Sequence, residues 1–311
     1  GGGVLITGLN PTGAVLFRGA ARVPVYEAGE TLAGAIAWLD EWANVQAGTP
    51  YFIRLTGDET LNSRWYLYNA DLNLTLEGAG ETRTINAAGV PASHTVIVLG
   101  AGTLTLGNNL TLDGGGRAGY GRLIEIGGGA TLNLTGATIT GNNSTTLGGA
   151  VYSSGTFTMS GGAITGNSST GGGGAVHSSG TFTMSGGVIS GNSSTVSGGA
   201  VSSSGTFTMT GGAITGNSST VGGGVWMSNG CSFTMTGGAI TGNTAERGGG
   251  VNFSSGTIIH VDGGTISGNI ATDGPTFGKQ VFQSPHYIDV ADIAPPMTVD
   301  NWVPGGPSWE G

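Results

Sequence analysis

Along most of this chain apolar residues alternate with hydroxyl-bearing ones in short runs, and the runs return on a fixed count. Thr156-Phe157-Thr158-Met159 recurs as Thr181 to Met184, Thr206 to Met209 and Ser232 to Met235. Alternation with period two is the pattern of a strand with one buried face. Two further short runs accompany each copy, represented by Ala163-Ile164-Thr165 and Ala150-Val151-Tyr152. Glycine pairs and Asn-Ser-Ser stand between them, which are corner residues rather than strand interiors. The isoleucines at Ile139, Ile164, Ile189, Ile214, Ile240 and Ile266 are spaced 25, 25, 25, 26 and 26.

A fixed period of this size means a stack of units, each unable to bury its own apolar face. Three short strands with sharp corners predict one coil of 25 residues. The expected fold is therefore an all-β solenoid, a right-handed parallel β-helix of about eight coils with an N-terminal capping helix. Leucine-rich repeats have similar periods, but their leucine spacing and helical segment are missing. Stacking puts like upon like about 4.8 Å apart. Phe157, Phe182, Phe207 and Phe233 then form an inner file that continues as Ile259, and Met159, Met184, Met209 and Met235 form another that ends in Val261. Ile164, Ile189, Ile214 and Ile240 make a third file, and the valines from Val151 to Val251 a fourth. These are packing residues, not a cofactor box.

Asparagines keep the same step at Asn142, Asn167, Asn192, Asn217, Asn243 and Asn269. At a corner such residues can hydrogen-bond their copies above and below. Asn167, Asn192 and Asn217 also sit in Asn-Ser-Ser glycosylation sequons. Degenerate runs such as Leu72 to Gly78, Thr95 to Leu99 and Thr103 to Leu106 extend the alternation upstream. The organisation expected is thus an N-terminal arm over 1–28, a capping region over 29–71, the solenoid over 72–270 and a tail over 271–311. An amphipathic helix over Thr31 to Val45 is to cover the first coil. The tail carries six of the ten prolines, with Trp302 and Trp309, and reads as a cap or docking segment.

Composition narrows the function. Glycine supplies 65 of 311 residues, charged side chains are 9%, and the net charge is −9. An acidic chain without basic clusters does not fit nucleic acid or anionic membranes. No apolar stretch is long enough to insert directly into a membrane. Cys231 stands alone, so no disulfide framework is implied. Gly1-Gly2-Gly3 reads as a processed end or the start of an excised segment.

Little acid–base chemistry is available. Glycoside hydrolysis needs paired carboxylates, and lyases commonly use acidic calcium clusters with a base. Between Glu125 and Glu246 the chain has no Asp, Glu, Lys or Arg. His177 takes the position of Tyr152 and Ser202 in sister coils, which predicts a solvated outward side chain. Asp113, Arg117, Arg122 and Glu125 form the one acid–base group on the coils and read as a surface salt-bridge cluster. Glu246-Arg247 reads as a corner pair. Calcium-roll aspartates, zinc spacing, nucleophile elbow and phosphate loop are all missing, so no metal, cofactor or catalytic residue is expected. The outward hydroxyls are a separate matter. Thr156 and Thr158, Thr181 and Thr183, and Thr206 and Thr208 form a Thr-x-Thr array that resembles the ice-binding surface of β-helical antifreeze proteins. Threonine is equally the ordinary polar residue of a solvent-facing strand.

Gly161-Gly162-Ala163-Ile164, Gly211-Gly212-Ala213-Ile214 and Gly237-Gly238-Ala239-Ile240 resemble the GGA(I/L/V) repeat of chlamydial polymorphic outer-membrane adhesins. The longer Gly-Gly-x-Ile-x-Gly-Asn unit resembles repeats in surface proteins of spirochaetes and other bacteria. The resemblance covers 136–269 and implies a bacterial surface β-helix. The adhesins' Phe-x-x-Asn companion motif is replaced by Ile-x-Gly-Asn, and no membrane barrel follows. The leading expectation is a non-catalytic extracellular protein that self-assembles head-to-tail through its rod ends into a filament or layer. Val4, Leu5 and Ile6, or Ala14 to Phe17, are the candidate strand-addition segments, with Trp302 and Trp309 completing the joint. The alternatives are a monomeric adhesin with glycan or host-surface contacts, an ice-binding protein, and a polysaccharide-lyase-like enzyme.

Overall fold

A computed structural model describes residues 13–25, 31–254 and 256–272, together with the backbone of 281–283 and 298–299. It is a parallel β-solenoid of about eight turns. Strands return above their own copies in three main sheets, and the register is the one the repeat demands. Phe157 pairs with Phe182, Phe182 with Phe207 and Phe207 with Phe233. The Ile sheet pairs Ile164 with Ile189 and Ile214 with Ile240, while the Val sheet pairs Val151 with Val176 and Val201 with Val225. All these side chains are fully buried, as are the four methionines.

The Phe rings of 157, 182 and 207 stack 4.8 Å apart, nearly parallel at 7° and 5°. The next two contacts, Phe207 with Phe233 and Phe233 with Phe253, are tilted by 49°. The reason lies across the core. Ser153, Ser178 and Ser203 share one buried inward position on the Val sheet, and the following coils put Met227 and Phe253 there. Small serines leave room for flat stacking, and the larger side chains force the rings to turn.

Asparagine corners form a buried ladder. The backbone N–H of Asn167, Asn192, Asn217 and Asn243 each donates to the Oδ1 of the next asparagine at 2.9–3.0 Å. Each Nδ2 shares its protons among that Oδ1, the carbonyl two residues back and the isoleucine carbonyl one coil below. For Asn192 these acceptors are Asn217 Oδ1 at 3.0 Å, Ser190 O at 3.0 Å and Ile164 O at 2.9 Å. Gly191 turns the chain into this corner at φ 63°, a left-handed conformation with no Cβ to resist it. The sequon asparagines therefore present no free amide for glycosylation in the folded chain.

Both ends differ from expectation. The parallel stack begins at Pro50 rather than Leu72, because β3 (Pro50–Leu55) pairs in parallel with Asn73–Gly78. Tyr51 heads the Phe file through Leu74, Leu104 and Leu132. On the other edge of β3 lies β1 (Ala14–Arg18), antiparallel, with Leu16 opposite Ile53. β2 (Val23–Pro24) then pairs with β1. The segment Ala14 to Phe17, expected to add to a neighbour, is instead bonded within its own chain, because the apolar inward pair Ala14 and Leu16 completes the core beside β3. The helix α1 (Leu32–Asp40) starts at Thr31, whose Oγ1 accepts from Gly34 N–H at 3.0 Å. It buries Leu32, Ala35, Ile36 and Leu39 in the core cluster that holds Leu16 and Tyr51. Tyr51 ties its hydroxyl to the segment that follows the helix, donating to Asn44 O and accepting from Gln46 N–H.

At the far end parallel pairing continues further than composition suggested, although the 25–26-residue spacing does not. Val281–Gln283 pairs in parallel with Val251–Phe253, and Thr298–Val299 with Thr265 and Ile266. In sequence Pro285, Pro295 and Pro296 fall between these two short strands, and none of the tail prolines falls within them. Val4, Leu5, Ile6, Trp302 and Trp309 lie outside the described residues.

Candidate functional site

Two outer faces and a few ionisable groups are what the solenoid offers to other molecules. The Phe sheet turns its hydroxyls outward in two columns. One runs from Asn73 through Thr103, Thr131, Thr156, Thr181 and Thr206 to Ser232. The other runs from Thr75 through Thr105, Asn133, Thr158, Thr183 and Thr208 to Thr234. The array thus extends well upstream of the four regular repeats, which the sequence reading did not find. A register shift between Ile126 and Gly129 hides the continuity in the sequence. The columns end where Ile258 and His260 follow.

On the Val sheet the outward column reads Tyr66, Val98, Glu125, Tyr152, His177, Ser202, Trp226 and Asn252. His177 is not solvated as its sequence position suggested, being only 7% exposed. Its ring stacks on Tyr152 at 5.3 Å and 15°, and its Nδ1 lies 3.2 Å from Ser202 Oγ. The glycine corner explains the burial. Gly173 folds back at φ +69° against the Val176 and His177 backbone, where a Cβ would lie 2.9 Å from His177 N. Arg122 covers the other face of the stack, its guanidinium 4.3 Å from the Tyr152 ring centroid. Burial, and then the Arg122 charge, push the His177 pKa down to about 4.

That depression fixes a pH dependence. The folded protein keeps His177 neutral down to about pH 4, whereas the unfolded chain takes up a proton near its ordinary value of about 6.5. The unfolded state binds more protons in that window, so stability falls as pH drops through it. Between pH 7 and 4 the wild type should lose about 3 kcal/mol more than a His177→Ser variant. Urea unfolding at matched pH values measures the difference, and parallel curves for the two proteins would contradict it.

The expected cluster of Asp113, Arg117, Arg122 and Glu125 is dispersed. Arg122 pairs with Glu125 at 3.1 Å, while Asp113 Oδ1 accepts from Gly115 N–H in a local turn. Arg117 occupies the register position below Asn142 and is buried, donating to the carbonyls of Val90 at 3.1 Å, Pro91 at 2.9 Å and His94. Burial lowers its pKa. It fastens a loop rather than meeting a substrate.

A further group lies where the N-terminal strands meet the first coils. Glu77 accepts from Arg22 and from Arg54, the latter at 2.7 Å. Arg22 also sits 4.2 Å over the Phe52 ring. Burial tends to raise the Glu77 pKa, but the two arginines outweigh it and leave the carboxyl below its ordinary range. The charges neutralise one another and tie the turn between β1 and β2, together with β3, to the next coil. His260 and Asp262 make an exposed pair at 2.6 Å on the final coil.

Cys231 is buried with its thiol pKa raised by that burial, which disfavours the reactive thiolate. Among the described residues no group of three or more His, Cys, Asp or Glu could hold a metal ion, and no helix is long and apolar enough to cross a membrane. No family model, curated protein or solved structure matches the chain.

Proposed function

We propose that this chain is a non-catalytic rod of a bacterial cell surface, which meets its partners through the sides of its shaft. The observation that carries the reading is the uncharged run from Ile126 to Ala245. Its coils are filled by stacked hydrocarbon inside and carry hydroxyls, glycine and scattered aromatics outside. Such a surface has no group poised to move protons, yet offers repeated hydrogen-bonding positions at fixed intervals. The GGA(I/L/V) resemblance supports display outside the cell.

Of the two assembly readings, contact through the shaft fits the N-terminal geometry better than head-to-tail strand addition. The edge of β3 is taken by β1, and β2 is a two-residue strand that includes a proline. Short, proline-bearing edges are how sheets avoid recruiting another chain. In this reading α1 serves as the cover of the first coil.

Assays for new reducing ends and for unsaturated products across a panel of pectin, alginate and neutral polysaccharides test the non-catalytic claim. No turnover is expected, with or without divalent metal. Turnover abolished by a single substitution at Glu125 or His177 would overturn it. The length of the two hydroxyl columns favours one second reading, ice binding. Thermal hysteresis lost on joint replacement of Thr158, Thr183 and Thr208 would promote it over the first.

A further inference from the structure

We propose that the outer face of the Val sheet near the N-terminal end binds acidic glycans. Pyranose rings stack on Tyr66 and Tyr68, and Arg64 holds a carboxylate. The inference rests on the surface-rod reading and names the class of ligand the shaft takes.

Tyr66 and Tyr68 are 38% and 51% exposed, on a solenoid whose other large apolar side chains are mostly inside. Their rings stack on each other with centroids 5.8 Å apart and planes 21° apart. Tyr68 owes its position to the next coil. Its ring occupies the space that a Cβ on Gly100 would need, so it lies over the sheet at the one neighbouring position without a side chain. A paired aromatic surface, supported from beneath and open to solvent, presents the electron-rich faces of its rings. The axial C–H groups of a pyranose are the apolar, weakly positive surface that complements such a face. Exposed aromatic area of this kind on a hydroxyl-rich surface marks a contact site.

Charge selects among glycans. Arg64 is exposed and places its guanidinium 4.8 Å from the Tyr66 ring centroid. The ion pairs among the described residues engage Arg22, Arg54, Arg83 and Arg122 and leave Arg64 without a carboxylate. On a chain of net charge −9, a cation beside an aromatic pair is a local reversal of sign. A guanidinium recognises a carboxylate through two parallel N–H donors. A uronic acid residue supplies both features at once, a pyranose face for the tyrosines and a carboxylate for Arg64.

Affinity electrophoresis of the whole chain in gels containing polygalacturonate or dextran tests the site. Polygalacturonate should retard the wild type more strongly than dextran does. Tyr68→Ala should weaken polygalacturonate binding about tenfold, and Arg64→Gln should remove the preference for the acidic polymer. Gly100→Ala displaces the ring while keeping every tyrosine, and should weaken both polymers. Tyr120→Ala, at a tyrosine 70% exposed elsewhere, should change nothing. Unretarded wild type, or wild-type retardation in Tyr68→Ala and Arg64→Gln, would overturn the proposal. Either result leaves the surface-rod reading standing, since that is judged by turnover and association state. Circular dichroism on each variant checks that the coil stack is intact.

Discussion

Replacing Asn192 by alanine should lower the free energy of unfolding by about 4 kcal/mol or more, since several buried groups lose partners together. The side chain accepts from Asn167 N–H and Nδ2, and donates to Ile164 O, Ser190 O and Asn217 Oδ1. Alanine removes all of these, and no water from bulk reaches a position that is 1% exposed. An unsatisfied buried donor or acceptor costs about 1–3 kcal/mol, and neighbouring losses in one network do not simply add. Asn143→Ala, at the exposed position beside the ladder, should cost about 0.5 kcal/mol or less. Urea unfolding followed by circular dichroism compares the two. Similar midpoints would mean that the ladder contributes nothing beyond an ordinary surface asparagine.

The second large effect is expected in the core. Phe182→Ala should cost about 3–5 kcal/mol, because it opens a cavity in a stack whose neighbours cannot collapse inward. Phe182 is held between two rings at 4.8 Å, and the parallel sheets above and below fix the coil spacing. Leu132 and Leu104 occupy the same file in earlier coils. Phe182→Leu should therefore cost less, about 1–1.5 kcal/mol. Thr183→Ala on the outer face should cost about 0.5 kcal/mol or less. Equal effects of Phe182→Ala and Thr183→Ala on the urea midpoint would show that inside and outside are reversed.

The repeats were legible in the sequence because each of their positions is determined twice, once by alternation within a strand and once by its copies in register. Phe157 to Phe233 and Asn142 to Asn269 are read correctly for that reason. Elsewhere one of the two signals fails. The first coils are irregular in length, shorter than the repeat from Tyr51 to Leu74 and longer in the next two, so β3, with Pro50 and Arg54 in it, carries alternation but no copy at the expected distance. β1 was legible as a strand, but its partner was not, since nothing local in Ala14 to Arg18 distinguishes the edge of its own β3 from that of another molecule. His177 was misjudged for a related reason. Its outward direction follows from strand geometry, but its burial depends on the Gly173 corner and on Tyr152 and Arg122 from neighbouring coils. The pair of Tyr66 and Tyr68 was missed because its support, Gly100, belongs to the next coil.

The rod is proposed to work through its shaft, and its N-terminal edge is occupied from within by β1. Light scattering and electron microscopy of the 311-residue chain beside one lacking residues 1–28 test this most directly. The deletion removes β1 and β2 and uncovers the edge of β3. Single rods are expected for the intact chain, and larger, strand-paired assemblies for the shortened one. End-to-end filaments of the intact chain that dissolve when residues 1–28 are removed would contradict it.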